Sequence, residues 1–382
     1  MTVRKVCVVT GGRAEYGILH WVLRDLRDDP RFELQLVVTG SHLSVIHGRT
    51  VDEIRADGFE ISREVPLDLA GDRGVDAARA AAGALAGCAE VFDALSPDLV
   101  LVLGDRYEIL AAAQAAALIG VPLVHIAGGD VSGGAIDDAL RAAITQLAHV
   151  HLTTNAEAAV RLRSLGIAGW RVHDVGSPAL DHFRRGERMG REELEASLGR
   201  PLAARNLVVA FHPVTLQPDR GAGELVALLE ALGSVRRTHA LWITGVNQDP
   251  GHVGATEAIR RFAAEQVEGP GVSLHGSLGA RRFHALVSLA DAVVGNSSSG
   301  LYEAPALGTW TVDVGQRQAG RLAGSTVLRV PAEREAIERA IARAAEPFPG
   351  APDHPYGDGR SAPRILELLA GLPDRGALLA RD

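Results

Sequence analysis

Residues 99–127 read LVLVLGDRYEILAAAQAAALIGVPLVHIA. Two short apolar runs, LVLVL and VPLVHI, flank a longer stretch that is rich in alanine and leucine. The runs are apolar at nearly every position, which is typical of parallel strands with both faces buried. The stretch therefore predicts a strand, a helix and a second strand, the repeating unit of a parallel α/β sheet.

The same alternation continues through the chain in two series. The first series of predicted strands is VRKVCVVTG, ELQLVVTG, DLVLVLGD, VPLVHIAGG, HVHLTT and RVHDVGS. The second series is NLVVAFHP, HALWITG, VSLHG, DAVVGNS and TWTVDVG. Helical stretches separate most of these strands. The sequence therefore predicts an α/β protein with two doubly wound, Rossmann-like domains.

A polar stretch around residues 181–206 separates the two series. The chain has 382 residues, which is more than one hydrophobic core usually holds, so two domains are expected. We place the first domain at residues 1–184 and the second at residues 185–354. Residues 355–382 begin with prolines and glycines and end in a short helix, which predicts a tail that packs on another part of the protein.

Composition argues against several classes of protein. The formal net charge is -8 and the charges are interspersed, so neither nucleic acid nor a membrane surface is an expected partner. The two cysteines, Cys7 and Cys88, lack metal-ligand spacing and fit a reducing compartment. No apolar stretch approaches the length of a membrane helix, and the first apolar run is too short for a secretion signal. We expect a soluble cytoplasmic protein.

Polar motifs follow the predicted strands at the point where each strand ends. Ligands of doubly wound sheets bind beyond these carboxyl ends. Arginine, aspartate, histidine and serine side chains recur there, which predicts a site that binds an anion and moves protons. The motifs, in chain order, are GGRAEYG, DRYE, GGD with GGAIDD, HP, NSSSG and QRQAGR.

Several of these residues also have a purely structural interpretation. Arg13 follows a glycine turn whose backbone N–H groups could bind phosphate, but such turns are common. Asp105 could be the N-cap of the following helix. Arg141 could pair with Asp137, four residues earlier on the same helical face. His212 lies at a strand end before a proline, which favours a functional role.

Residues 295–305, GNSSSGLYEAP, carry three consecutive serines between a strand and a helix. Their hydroxyls and the unpaired N–H groups of a helix start can bind a diphosphate. The alternative is an ordinary serine N-cap, which needs only one serine. Glu303 lies one turn further on, where its carboxylate can accept hydrogen bonds from a ribose. The pattern predicts that the second domain binds a nucleotide-sugar through its diphosphate.

The ordered series of motifs resembles the hydrolysing UDP-N-acetylglucosamine 2-epimerases, in the branch that serves sialic-acid and legionaminic-acid pathways. The resemblance covers residues 9–322, nearly the whole chain. It implies the glycosyltransferase-B type of fold, an active site in the interdomain cleft, a C-terminal helix that crosses back onto the first domain, and a homodimer. The motifs are TGGRAEYG, VVTGSHLS, PDLVLVLGDRYE, PLVHIAGGDVSGGAIDDALRAAITQLAHVHL, VGSPALD, FHPVTLQ and VVGNSSSGLYEAPALGTWTVDVGQRQAGR.

The resemblance implies anti elimination of UDP from UDP-N-acetylglucosamine to 2-acetamidoglucal, then hydration to free N-acetylmannosamine. This chemistry needs acid/base groups and stabilisation of the leaving diphosphate, but no redox cofactor and no catalytic metal. The residues that the resemblance assigns to catalysis are Asp105, Asp137, Asp130 and His212. Those assigned to substrate or nucleotide binding are Arg13, Arg106, Arg141, His212, Ser297, Ser298, Ser299, Glu303 and Arg317.

One motif departs from the family pattern. Some members read HIEGGE, with a catalytic glutamate, where this chain reads HIAGGD with Ala127 and Asp130. The HIAGGD form is similar to enzymes that act on a UDP- or GDP-linked 2,4-diacetamido-2,4,6-trideoxyglucose, so this substrate is the alternative. A non-hydrolysing epimerase and a glycosyltransferase or inactive binder of the same fold are further alternatives. The motifs GTRPE and HVEAGLR, typical of non-hydrolysing epimerases, do not occur in the chain.

Overall fold

The structure is a computed structural model that contains two α/β units. Unit 1 comprises residues 1–184 and 356–382, and unit 2 comprises residues 185–355. The structure describes residues 3–45, 49–69, 73–131, 136–187, 189–214, 217–246, 252–265, 267–276, 278–350 and 352–380. None of the described helices is both long enough and apolar enough to cross a membrane.

Unit 1 is built on a seven-stranded parallel sheet with the order β3-β2-β1-β4-β5-β6-β7. The strands are β1 (Arg4–Thr10), β2 (Phe32–Thr39), β3 (Arg63–Val65), β4 (Leu99–Leu103), β5 (Leu123–Ile126), β6 (Val150–Thr153) and β7 (Val172–Asp174). The helices are α1 (Arg13–Asp28), α2 (Val51–Ala56), α3 (Gly74–Leu95), α4 (Tyr107–Ile119), α5 (Ile136–Leu147), α6 (Ala156–Ser164) and α7 (Asp181–Arg185), with α14 (Ser361–Gly371) and α15 (Arg375–Ala380) from the end of the chain.

Helices cover both faces of the unit 1 sheet. One hydrophobic core packs α1 and α14 against the sheet, and a second core packs α3 and α4 against the other face. The helix α14 is anchored by Asp181, whose carboxylate accepts hydrogen bonds from the backbone N–H groups of Ser361 (2.8 Å) and Ala362 (2.7 Å). Because these N–H groups begin a helix, they need such an acceptor. The last helices therefore belong to unit 1 although the chain reaches them through unit 2.

Unit 2 is built on a six-stranded parallel sheet with the order β10-β9-β8-β11-β12-β13. The strands are β8 (Asn206–Ala210), β9 (Ala240–Thr244), β10 (Val272–His275), β11 (Ala292–Gly295), β12 (Trp310–Val314) and β13 (Val327–Val330). The helices are α8 (Arg191–Leu198), α9 (Ala222–Val235), α10 (His252–Ala264), α11 (Gly279–Ser288), α12 (Ser299–Ala306) and α13 (Arg334–Ala344).

The predicted fold class is confirmed: both units are doubly wound parallel sheets with helices on both faces. Every strand of the two predicted series is present. Two strands, β3 and β13, were not predicted. Both are short edge strands, and β3 buries only Val65, so they lack the continuous apolar run that identifies a central strand.

Candidate functional site

The strand orders locate the ligand-binding edge of each sheet. In unit 1 the order reverses between β1 and β4, and in unit 2 it reverses between β8 and β11. A doubly wound sheet opens a crevice at such a switch point, beyond the carboxyl ends of the strands. The loops after β1 and β4 carry GGRAEYG and GDRYE, and the loops after β8 and β11 carry HP and NSSSG. The predicted motifs therefore occupy the two switch points.

Arg141 organises the switch point of unit 1. Its side chain is buried, and Nη2 donates a hydrogen bond to Oδ2 of Asp105 after β4. Nη1 donates to Oδ1 of Asp138 and to the backbone oxygen of Asp130, both at 2.8 Å. One guanidinium thus brings together the ends of β4 and β5 and the first turn of α5. Since both of its terminal nitrogens donate to the protein, Arg141 positions these acidic groups, and its role in substrate binding stays a prediction.

Two structural interpretations of these residues are wrong. The N-cap residue of α4 is Arg106 rather than Asp105, because Asp105 ends the preceding turn and turns toward Arg141. Arg141 pairs with Asp138, three residues earlier, rather than with Asp137. Residues three and four positions apart are both neighbours on a helix. Because Arg141 also contacts Asp105, its guanidinium is placed beside Asp138, three positions earlier.

Asp130 and Asp137 differ in their surroundings. The carboxylate of Asp130 accepts hydrogen bonds from Thr154 Oγ1 (2.9 and 2.8 Å) and from Asn155 Nδ2 (2.9 Å), at the end of β6. Burial raises the pKa of Asp130 to about 6, although these hydrogen bonds oppose the shift. Asp137 is partly exposed, and its carboxylate makes no hydrogen bond or ion pair with any residue that the structure describes.

Two arginines flank the same switch point. Arg13 begins α1, is largely exposed, and lies 3.2 Å from Glu53 Oε2 through its Nε atom. Arg106 precedes α4, and its Nε donates a 2.5 Å hydrogen bond to Oε1 of Glu108. The side chain of Arg106 is 45% exposed, whereas Glu108 is completely buried. Both arginines can therefore present positive charge to an anion at this edge.

Asn296 organises the switch point of unit 2. Its buried side-chain amide accepts a hydrogen bond from the backbone N–H of His212 (2.7 Å) and donates one to the backbone oxygen of His212 (2.8 Å). The backbone oxygen of Asn296 accepts from Arg317 Nη1 (3.2 Å) and from Gln318 Nε2 (2.8 Å). The ends of β8, β11 and β12 are joined through this one residue, which brings the predicted residues His212 and Arg317 together.

The three serines lie at the start of α12, as predicted. The hydroxyl of Ser299 donates to that of Ser297 at 3.0 Å, and Ser298, the N-cap residue, makes no side-chain capping bond. An ordinary serine cap accepts a hydrogen bond from the backbone N–H two or three residues later. Ser298 accepts none, but Ser297 Oγ accepts one from the backbone N–H of Ser299 at 3.4 Å, so the structural interpretation describes one of the three serines. Partly exposed hydroxyls at the positive end of a helix suit an anionic ligand.

Glu303 lies within α12, one turn after the serines. Its Oε2 is 3.9 Å from Nε2 of His284 on α11, and its side chain is 34% exposed. The carboxylate is therefore accessible to a ligand. His284 was not identified from the sequence, because only the packing of α11 beside α12 brings it to Glu303.

The functional residues that the sequence did not reveal are those that hold others in place. Asn296 stands inside the quoted GNSSSG motif, and a buried polar residue directly after an apolar strand is the signal that could have identified it. Glu108 and Glu15 are buried acids in the first turns of α4 and α1. Acidic residues are frequent in the first turn of a helix, so the sequence alone gives them a structural explanation.

Each unit thus has its own chemical character. Unit 1 gathers carboxylates, one buried arginine and two accessible arginines, which can transfer protons and bind an anion. Unit 2 gathers hydroxyls, an arginine, a histidine and a helix start, which can bind a phosphate group.

Comparison with known proteins identifies the class. Residues 24–370 match the family model described as UDP-N-acetylglucosamine 2-epimerase. The chain is 32% identical over 377 residues to the UDP-N,N'-diacetylbacillosamine 2-epimerase (hydrolyzing) of Legionella pneumophila, covering 99% of this chain and 98% of that protein. It is 32% identical over 328 residues to the GDP/UDP-N,N'-diacetylbacillosamine 2-epimerase (hydrolyzing) of Campylobacter jejuni, covering 86% and 84%.

Among solved structures, the UDP-GlcNAc 2-epimerase from Neisseria meningitidis bound to UDP-GlcNAc superimposes with a TM-score of 0.76 at 18% identity, covering 96% of this chain and 99% of that chain. This likeness supports the glycosyltransferase-B type of fold. The chain belongs to the hydrolysing UDP-N-acetylglucosamine 2-epimerase family.

Proposed function

We propose that this protein is a hydrolysing 2-epimerase of a nucleotide-linked 2-acetamido sugar. The observation that supports this most strongly is the pair of carboxylates of Asp105 and Asp138 at the switch point of unit 1, which the buried Arg141 joins. A transferase that only binds a donor sugar has no need for carboxylates gathered in this way. Membership of the epimerase family explains the need, because the reaction moves a proton at a carbon atom.

The proposed reaction has two steps. A carboxylate of unit 1 removes the proton at C2 of the sugar, the C1–O bond breaks, and its electron pair leaves with the nucleoside diphosphate. A double bond between C1 and C2 remains in the glycal. Water then adds its hydroxyl to C1 while a proton reaches C2 from the other face, which gives the free 2-epimer. Asp105 and Asp137 are our assignments for proton transfer, with Asp130 and His212 as further acid/base candidates.

Asp130 is suited to a supporting role in this proposal. Both of its oxygens accept from Thr154 Oγ1, and Oδ1 also accepts from Asn155 Nδ2, so Asp130 ties the loop after β5 to the end of β6. Its pKa of about 6, raised by burial, lies where a group can hold or release a proton near neutral pH. It therefore remains a candidate for a group that supplies a proton during hydration.

The leaving diphosphate needs positive charge and hydrogen-bond donors. We assign its binding to the candidates from the sequence, which are Arg13, Arg106, His212, Ser297, Ser298, Ser299 and Arg317. We assign the ribose to Glu303, whose accessible carboxylate can accept bonds from both hydroxyls. Donors aimed at the departing phosphate lower the barrier to C1–O cleavage.

For the sugar, we propose a UDP- or GDP-linked N,N'-diacetylbacillosamine. The support is the activity for which the Legionella and Campylobacter relatives are named, since both match the chain over most of its length. The second candidate is UDP-N-acetylglucosamine, supported by the description of the family model. It would give free N-acetylmannosamine.

The test offers the purified protein all three nucleotide-sugars in separate reactions. Free nucleoside diphosphate is measured by chromatography and the sugar product by mass spectrometry. Free sugar and free nucleoside diphosphate in equal amounts are expected, and the largest kcat/KM identifies the substrate. A product that stays linked to the nucleotide would instead indicate a non-hydrolysing epimerase, and no turnover of any of the three would contradict the proposal.

A further inference from the structure

Glu108 is a completely buried carboxylate beneath the switch point of unit 1. It lies directly under two glycine loops. A β-carbon built at Gly11 would be 2.6 Å from its Oε1 atom, and one built at Gly40 would be 3.0 Å from the same atom. The loops are also joined to each other, because Ser41 N–H donates to the backbone oxygen of Gly11 at 2.8 Å. A buried carboxylate needs a partner to be tolerated, and here the partner is Arg106.

The contact between Arg106 and Glu108 uses only one side of the guanidinium. Nε of Arg106 donates to Oε1 of Glu108 at 2.5 Å. Among the described residues, neither terminal nitrogen of Arg106 has a hydrogen-bond partner. The side chain is 45% exposed. The guanidinium is therefore anchored at its base, with its two outer NH2 groups open at the carboxyl edge of β4.

We propose that Glu108 is a positioning residue that fixes the guanidinium of Arg106 for binding the leaving diphosphate. Arginine binds phosphate through two nitrogens of a planar group, so its orientation decides whether both can be used. An arginine without this anchor would have to lose the rotational freedom of a long side chain on binding. This inference rests on the proposed function.

Glu15 is a second buried carboxyl group near the pair of Arg106 and Glu108, and it adds no competing charge. It is buried beside the same turn, and its Oε2 accepts a 2.8 Å hydrogen bond from the backbone N–H of Gly11. Burial raises the pKa of Glu15 to about 8, and the nearby charge of Glu108 contributes in the same direction. At neutral pH Glu15 is therefore mostly protonated, and Glu108 is the carboxylate that forms the ion pair with Arg106.

The test is a double-mutant cycle of Arg106→Ala and Glu108→Gln in the full chain. Affinity for UDP and for GDP is measured by calorimetry, and kcat and KM are measured with the turned-over nucleotide-sugar. We expect each single variant to bind the nucleoside diphosphate about 10- to 100-fold more weakly, the range for one hydrogen bond to a charged group. The double variant should bind no more weakly than Arg106→Ala, because Glu108 acts through Arg106.

The matched control is Glu64→Gln, which removes an exposed carboxylate that pairs with Arg55 in the same unit. It should leave affinity and turnover unchanged. Wild-type affinity in Glu108→Gln, or additive losses in the double variant, would overturn the inference. If Glu108→Gln does not fold, Arg106→Lys replaces it. Lysine keeps the positive charge but has a single nitrogen, so it cannot contact Glu108 through one nitrogen and the phosphate through two others. Wild-type UDP affinity in Arg106→Lys would therefore also contradict the inference.

Failure of this inference and failure of the proposed function give different results. If the wild-type protein turns over a nucleotide-sugar while Glu108→Gln behaves as wild type, only the role of Glu108 is wrong. If the wild-type protein turns over none of them, the proposed function is wrong, and the cycle in nucleoside diphosphate affinity still decides whether Glu108 positions Arg106.

Discussion

Substitution of Asn296 by alanine removes the side chain that joins β8 to β11 at the switch point of unit 2. Two hydrogen bonds to the backbone of His212 are lost, at 2.7 and 2.8 Å. Each is worth about 0.5–1.5 kcal/mol net, and a buried polar group left without a partner costs more, about 1–3 kcal/mol. We therefore expect the free energy of unfolding of unit 2 to fall by roughly 2–4 kcal/mol.

The same substitution should weaken nucleotide binding. Because the Asn296 side chain holds the backbone of His212, and Ser297 follows Asn296 directly in the chain, both residues lose their fixed arrangement. We expect about tenfold weaker binding of UDP, which corresponds to about 1.4 kcal/mol. Calorimetric titration with UDP measures this loss without any need for turnover.

Asn206 provides a matched control in the same unit. Its buried amide clamps the backbone of Ala203 with hydrogen bonds of 3.0 and 2.8 Å, but it begins β8 at the opposite end of the strand. Asn206 Oδ1 also accepts a 3.1 Å hydrogen bond from Trp242 Nε1, so Asn206→Ala should lose at least as much stability as Asn296→Ala and keep its UDP affinity. If both variants lost stability but bound UDP equally well, Asn296 would be a structural residue only and the account of this switch point would be refuted.

The stability of unit 2 can be followed separately. Of the four tryptophans, Trp242 and Trp310 belong to unit 2, whereas Trp21 and Trp170 belong to unit 1. Replacing the latter two with phenylalanine makes the fluorescence of the chain report on unit 2. Urea unfolding in this background gives the change in midpoint for each asparagine variant.

Further predictions concern unit 1. Asp105→Asn and Asp137→Asn should each abolish release of nucleoside diphosphate while UDP still binds; wild-type rates in both would contradict the proton-transfer assignment. Arg141→Ala should lower the free energy of unfolding by about 3–5 kcal/mol, because it removes the partner of a partly buried carboxylate; urea unfolding measures this, and a loss below about 1 kcal/mol would contradict the pairing. In the folded protein Glu15 keeps its proton up to about pH 8, whereas the unfolded chain releases it above about pH 4.5. The contribution of Glu15 to the free energy of unfolding therefore falls as pH rises from about 4.5 to about 8. Across that interval the free energy of unfolding of Glu15→Gln should rise relative to that of the wild type, by up to about 1.4 kcal/mol per pH unit. Urea unfolding measures this, and a difference between the two proteins that stays constant with pH would show that Glu15 is not protonated in the folded protein.

The fold could be predicted largely because buried parallel strands leave a strong pattern. LVLVL and LVVAF are apolar on both faces, and no other common element explains such short runs between helices. The edge strands β3 and β13 have one open side. β3 exposes two of its three residues, and Arg329 interrupts the apolar run of β13, so neither shows the continuous apolar pattern of a central strand. An edge position in the sheet therefore explains why these two strands lack the apolar pattern that predicts a strand.

The position of a candidate site residue could be predicted where its place in the chain decides it. Asp105, His212 and the three serines each follow a strand directly, so the topology alone carries them to the ligand-binding edge. The partners of Arg141 could not be derived in this way, because its contact with Asp105 spans 36 positions. Asn296, Glu108 and His284 act through neighbours that only the packed structure brings to them.

The central claim is that the protein removes and returns a proton at C2 while it releases the nucleoside diphosphate. Proton NMR of the reaction in D2O tests this directly, with UDP-N,N'-diacetylbacillosamine, its GDP-linked form and UDP-N-acetylglucosamine as substrates. We predict a free 2-epimeric sugar that carries deuterium at C2, formed together with free nucleoside diphosphate. A free sugar that retains its original hydrogen at C2, or a 2-epimer still linked to the nucleotide, would contradict the account.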